Sequence, residues 1–533
     1  MSDDPSGLPE PGQVPAAGEA PSGRVPPPPL GHVPPPTGGP SSAPAPDPTP
    51  APELEWRRFH PVTPFIKGWK VVLGLLVIAA YQGSENLSAA RSVVSAMGAL
   101  GLLGILLLVA LIGTAFAGLA WRMTRYAIDA EGVYLKSGVL FRQHRAARMD
   151  RIQAIDVVQP LLARILGLAE LKIEVAGGSD SAIRMSFLKE DHAQALRNEL
   201  LARAAGIRLG AQATPAQHPG QPVGVASPVP AAPEREVFAV TAPRLLGSLV
   251  RSGGVLFSVL LLVVLVVVIV VTGTPGAAFA MFPAVLGAVG FLWQRFAGEF
   301  GFRAAVSPDG IRLRHGLLES RSQTVPPGRV QAVRISQGPL WRGKDWWRVQ
   351  MNVAGYGVAQ SQQVETVLLP VGDRSEALLA LWLVLPDLGT NDPTTLLNAA
   401  LSGSGEEQGF VTSPRRARWL DPIVFRRTGF ALTDRALLMR GGRIVRHLVI
   451  VPHERTQSLG ITQGPIQRRL GLASFAVHST PGPVSPVVPH LDAPTAGTLL
   501  REQAARARTA RAGAAPERWM AGGDHTGVSS GRE

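Results

Sequence analysis

Three stretches of this chain alternate apolar and polar residues around glycine turns. They are "YAIDAEGVYLKSGVLFRQHRAARM" from Tyr126, "AAVSPDGIRLRHGLLESRSQTV" from Ala304 and "FALTDRALLMRGGRIVRHLVIV" from Phe430. A period of two broken by glycine predicts β-hairpins. Each stretch runs into a variant of one phrase: "RIQAIDVVQPL", "RVQAVRISQGPL" or "RTQSLGITQGPI". The phrase aligns Arg151, Arg329 and Arg455. Its first glutamine is Gln153, Gln331 or Gln457, and its second is Gln159, Gln337 or Gln463. The turn glycines Gly138, Gly316 and Gly442 each precede the arginine by 13 residues. Constant spacing in divergent sequence marks a copied module. Further strands are predicted at Leu168–Gly178 and Ala473–Gly482, and closing helices at Glu190–Ala205, Asp373–Leu385 and Ala493–Arg511.

A second pattern is purely apolar. Four runs, Trp69–Tyr81, Val93–Trp121, Gly253–Gly273 and Ala277–Trp293, predict two transmembrane hairpins, since a helix needs about 20 apolar residues to span a bilayer. Arg57, Arg58 and Lys67 lie before the first run with Lys70 at its start, and Arg122 and Arg125 lie after the second. Arg244 and Arg251 precede the third, and Arg295 and Arg303 follow the fourth. Basic flanks stay inside, so a multi-pass cell-membrane protein with both termini cytoplasmic is expected. The expected organisation is a disordered Pro-rich tail 1–54, hairpin 1 at 65–121 and module 1 at 122–206. A linker 207–243, hairpin 2 at 244–297 and module 2 at 298–386 follow. A linker 387–409, module 3 at 410–512, which should fold as a soluble piece, and a disordered tail 513–533 complete the chain.

Composition narrows the chemistry. The net charge of +13 and pI near 10.9 favour anionic partners. Basic blocks with interleaved aromatics are missing, so nucleic acid is not expected. The chain has no cysteine, which excludes thiolate metal sites and thiol catalysis. Phosphate-loop, dinucleotide-binding, zinc-protease and serine-hydrolase motifs are not found, and the histidines lack ligand spacing. No catalytic, cofactor-binding or metal residues are assigned. "FRQHRAARMDR" (Phe141–Arg151) is the densest basic stretch, and Arg142, Arg145 and Arg148 are its candidate contacts to an anionic surface.

The chain resembles the bacterial PH-domain membrane proteins. "HPVTPFIKGWK", "YLKSGVLFRQHRAARMDRIQAIDVVQPLLARILGLAELKIEVAGG" and the latter's two weaker echoes carry the resemblance. It implies a multi-pass α-helical membrane protein bearing three PH-like modules, each an antiparallel β half-barrel plus a C-terminal helix. The function expected is a non-catalytic, membrane-anchored scaffold or binding platform with a protein partner. The alternative is a component of export or envelope stress defence for lipids or small molecules. The Arg-x-Gln motif recurs where neighbouring basic residues do not. That favours a structural role, with a lipid headgroup contact as the other reading. The structural role predicts that Arg151→Ala lowers stability more than binding.

Overall fold

The computed structural model describes residues 55–66 and 111–513, apart from 65, 112, 130, 140, 176–181, 205–234, 274–275, 308–309, 326 and 355–366. The Pro-rich tail, the first expected span, most of the second and the C-terminal tail lie outside these residues.

Module 1 comprises β1 (Arg57–Arg58), β2 (Arg125–Ile128), β3 (Gly132–Ser137), β4 (Gln143–Arg148), β5 (Ile152–Pro160), α1 (Leu161–Ile165), β6 (Leu168–Val175), β7 (Ile183–Lys189) and α2 (Glu190–Ala204). Module 2 comprises β8 (Arg235–Ala239), α3 (Ala242–Val250), α4 (Gly253–Thr272), α5 (Gly276–Glu299), β9 (Arg303–Ser307), β10 (Gly310–His315), β11 (Glu319–Val325), β12 (Val330–Gln337), β13 (Trp347–Val353), β14 (Val367–Gly372) and α6 (Arg374–Val384). Module 3 comprises α7 (Pro393–Ser402), β15 (Val411–Thr412), β16 (Gly429–Leu432), β17 (Ala436–Gly441), β18 (Arg446–Pro452), β19 (Ser458–Thr462), α8 (Pro465–Arg469), β20 (Leu472–His478), β21 (Val487–Asp492) and α9 (Ala493–Gly513).

In every module four strands form a first sheet and three a second, and a helix closes the end. Local chemistry explains the elements. Gly138, Gly316 and Gly442 turn the third hairpin with φ of 108°, 113° and 72°. A Cβ at any of them would sit within 2 Å of the carbonyl oxygen three residues on, that of Phe141, Glu319 or Val445. Asp373 starts α6 with a capping box: its carboxylate accepts from the Glu376 amide at 2.9 Å, and the Glu376 carboxylate accepts from the Asp373 amide at 2.8 Å.

The modules are fused edge to edge. The second sheet of module 1 joins the first sheet of module 2 in the order β7-β6-β5-β11-β10-β9-β8. The same happens once more, in the order β14-β13-β12-β18-β17-β16-β15. The joining strand is the one that carries the repeated phrase. Because alternate residues of a strand face opposite ways, a shared sheet serves two cores. Leu438, Leu448 and Ile450 pack into the core of module 2, while Leu437, Met439, Val449 and Val451 pack with Phe475 and Leu491 in module 3. Residues 410–512 alone would expose the first of these faces, so the soluble autonomy expected from sequence is not what the packing favours. Asn352 of β13 reinforces the seam. It is buried, accepts from the Val484 amide at 2.9 Å and donates to the Val484 carbonyl at 2.7 Å.

The expectation of a multi-pass α-helical membrane protein is overturned. The described residues are dominated by antiparallel sheets. Among them one helix, α4 over Gly253–Val271, is long and apolar enough to cross a membrane, with mean hydropathy 3.5 and no part of that span buried. α5, expected as another span, is recruited to module 2 at its C-terminal end. There Ala297 is buried, and Glu299, also buried, pairs with Arg348 at 2.6 Å and Arg295 at 3.4 Å. Both expected linkers also carry structure. Arg235–Ala239 is the first strand of module 2, paired with β9. Within 387–409, α7 buries Leu396, Leu397, Ala400 and Leu401. Its last carbonyls accept from two buried arginines: Arg427 Nη2 reaches Ala400 and Leu401 at 2.8 and 2.7 Å, and Arg440 Nη1 reaches Ala399 at 3.0 Å. Cations suit a helix C-terminus. Burial, with neighbouring Arg446, Arg440 and Arg342, lowers the Arg427 pKa to about 10.

Candidate functional site

A helical stretch, 113–123, delivers the chain into β2 and so places Arg122 and Arg125 at one end of module 1. Antiparallel pairing then sets Lys136 of β3 directly between Arg125 of β2 and His144 of β4. Like charges directly opposite one another destabilise a sheet. With Arg122, Ser137 and Arg142 these residues line a cleft of about 290 Å³, and no lining residue is acidic. Lys136 Nζ rests 3.9 Å from the centre of the Trp56 ring, a cation–π contact that holds the ammonium in place. The hairpin tip beside the cleft presents Phe141, 82% exposed, next to Arg142. Apolar tips recur at Leu318 in module 2 and at Ile444 and Val445 in module 3, all exposed.

The cleft belongs to module 1. Counted from the turn glycines, Arg125 and Lys136 correspond to Arg303 and Arg314 in module 2. There Arg303 lies 3.7 Å from the Glu236 carboxylate. In module 3 the positions hold Gly429 and Arg440, and Arg440 is buried against α7. A cationic cleft lacking acids is suited to a phosphorylated or carboxylated ligand. Among the described residues no group of His, Asp and Glu could hold a metal ion.

The residues singled out from sequence divide. Arg142 lines the cleft. Arg145 and Arg148 do not: Arg145 Nη1 donates to the Ala182 carbonyl at 3.3 Å, and Arg148 sits at the far end of β4. Arg125, Lys136 and His144 went ungrouped because they come from three strands, and only pairing brings them together. Arg151, Arg329 and Arg455 each end a 3-10 turn just before the motif strand, rather than lying in it. Arg151 is exposed, and Arg455 lines a cleft of about 240 Å³ with Gly328 and Arg435.

The glutamines are more clearly part of the frame. Gln331 Nε2 donates to the Arg329 carbonyl at 3.3 Å. The buried Gln337 donates to Asp345 Oδ1 at 3.1 Å, and Gln463 donates to the Leu472 carbonyl at 2.9 Å. The Gln159 amide nitrogen is buried and has no hydrogen-bond partner among the described residues. Gln457 is exposed, and its backbone amide donates to the His478 carbonyl at 3.1 Å. The Gln153 side chain is outside the described residues. These positions set a stability order. Gln337→Ala is expected to cost about 1–2 kcal/mol, by loss of a buried hydrogen bond. Arg151→Ala, at an exposed position, should change stability by no more than about 0.5 kcal/mol. Urea denaturation of both variants measures the difference, and equal losses would return Arg151 to a structural role.

A four-stranded sheet, a three-stranded sheet and a closing helix, repeated three times, define a tandem of PH-like modules. The chain matches the bacterial PH domain family over residues 74–204, 253–383 and 383–507, and it belongs to that family. No curated protein and no solved structure matches it.

Proposed function

We propose that this chain is a non-catalytic binding platform that holds its PH-like modules against an anionic membrane surface. The observation that carries this reading is the row Arg125–Lys136–His144, set without acidic relief beside the exposed Phe141 tip. The sheet tolerates the facing cations Arg125 and Lys136 at a cost, and an anionic headgroup in the cleft would remove their repulsion. Phe141 would enter the acyl boundary while Arg142 stays at headgroup level. α4 supports the same placement. Val270 and Val271 are 76% and 78% exposed, and most of its other large apolar side chains face outward. So much apolar surface needs either lipid or a partner to cover it.

The test is calorimetry on the full chain in a non-ionic detergent, titrated with short-chain phosphatidylglycerol or phosphatidylcholine. The anionic lipid is expected to bind, more weakly as salt rises, and the zwitterionic lipid is not. The double variant Arg125→Gln, Lys136→Gln should weaken binding roughly thirtyfold, at about 1 kcal/mol per cation. Equal binding of the two lipids, or an unaffected double variant, would refute the headgroup reading.

A further inference from the structure

The two junctions between modules are built alike. In each, the motif strand of one module pairs antiparallel with the fourth strand of the next module's first sheet: β5 with β11, and β12 with β18. The register is also the same. The residue six beyond the motif arginine opposes the residue six beyond the turn glycine. Val157 faces Ser322 at the first junction, and Ile335 faces Leu448 at the second.

One strand of each kind is left over. Among the described residues, β19 ends its sheet with no strand on its outer edge, and so does β4. Burial follows the pairing. Val157 and Ile335 are 5% and 0% exposed, while their counterpart Ile461 in β19 is 39% exposed. Ser322 is half-buried and Leu448 fully buried, while their counterpart His144 in β4 is exposed. The described residues thus leave unpaired the two halves of a junction that they form twice internally.

We propose that copies of this chain assemble head to tail, the outer edge of β19 in one copy pairing with the outer edge of β4 in the next, with Ile461 opposite His144. Charge argues against one alternative. Two β4 edges would bring Arg145 and Arg148 of both copies together, whereas Ser458–Thr462 carries no charge. The continuity of two internal junctions with identical register selects the mixed pair over two β19 edges. Such a contact is heterologous, so it propagates into a ring or an open array. It also covers two exposed edges at each contact, the usual hazard of unpaired strands.

The chain has no native cysteine, which makes disulfide mapping clean. Full-length protein carrying Ile461→Cys and His144→Cys together is oxidised in mild detergent without added lipid. A covalent ladder of dimers, trimers and longer species is expected. A mixture of the two single variants should stop at dimers. Pairing Ile461→Cys with Arg145→Cys, one residue along and on the other face, should give far less product. Ile461→Lys, at a partly exposed position that tolerates it in the monomer, should reduce the sedimenting species to monomer. A symmetric dimer from Ile461→Cys alone, a purely intramolecular bridge, or monomer under every condition would each overturn the proposal. The ladder is read without lipid, and the lipid titration uses Arg125→Gln, Lys136→Gln with His144 and Ile461 unchanged, so the two readings fail separately.

Discussion

Gly316→Ala is expected to destabilise the chain by about 3 kcal/mol or more. Two penalties combine. At φ 113° an L side chain has no comfortable backbone region, a strain of about 1–3 kcal/mol. The new methyl carbon would also lie 1.9 Å from the Glu319 carbonyl oxygen, which is fixed backbone and cannot rotate away. The hairpin must therefore open where β11 hands over to its partner β5. Gly301→Ala is the control. Its φ is 62°, and nothing lies within 4 Å of a built Cβ, so only the left-handed backbone term of about 1–2 kcal/mol remains. Urea midpoints followed by tryptophan fluorescence should separate the two variants clearly. Similar losses would mean that the turn relaxes without disturbing the junction.

Acid should weaken the second junction. His447 lies on β18 opposite Ser336, and burial, followed by Arg334 and Arg427, lowers its pKa from the ordinary 6.5 to about 4. A backbone hydrogen bond involving Val445 opposes the shift without cancelling it. Between those two values the unfolded chain binds the proton more readily, so stability rises with pH. The stabilisation from neutral His447 is complete above about pH 6.5 and is lost as pH falls toward 4, a loss on the order of 3 kcal/mol. His315 and His453 are also lowered, both chiefly by burial, and add to the slope in the same direction. Urea midpoints measured from pH 7 to pH 4 should fall steeply for the native chain and less steeply for His447→Gln. Parallel curves would show that His447 is not the group responsible.

The hairpins, the closing helices and the threefold repeat were legible because they depend on near neighbours. Period-two alternation, a glycine at fixed spacing and a capping aspartate are local signals. Strand order was not legible. Across the junction β5 pairs with Glu319–Ser322, and no local pattern encodes that choice. α7 was missed although its start carried a signal: Asp392 accepts from the Thr395 amide at 3.0 Å and Pro393 occupies the first turn. The Gly- and Ser-rich surroundings masked it. α5 was read as a free span because apolar content says nothing about what an element packs against, and its last turn packs into module 2. Arg142, Arg145 and Arg148 were grouped by closeness in sequence, while the cleft groups residues by their place across three strands.

The uniform register of the two internal junctions bears on how such a gene can change length. An in-frame loss of the middle module would leave the strand of the first facing the strand of the third. Val157 would then meet Leu448, a pairing of the same geometry as those already present. Duplication would equally insert a unit whose two edges fit its new neighbours. Chains with fewer or more modules than this one are thus reachable in single genetic steps, without redesigning a seam.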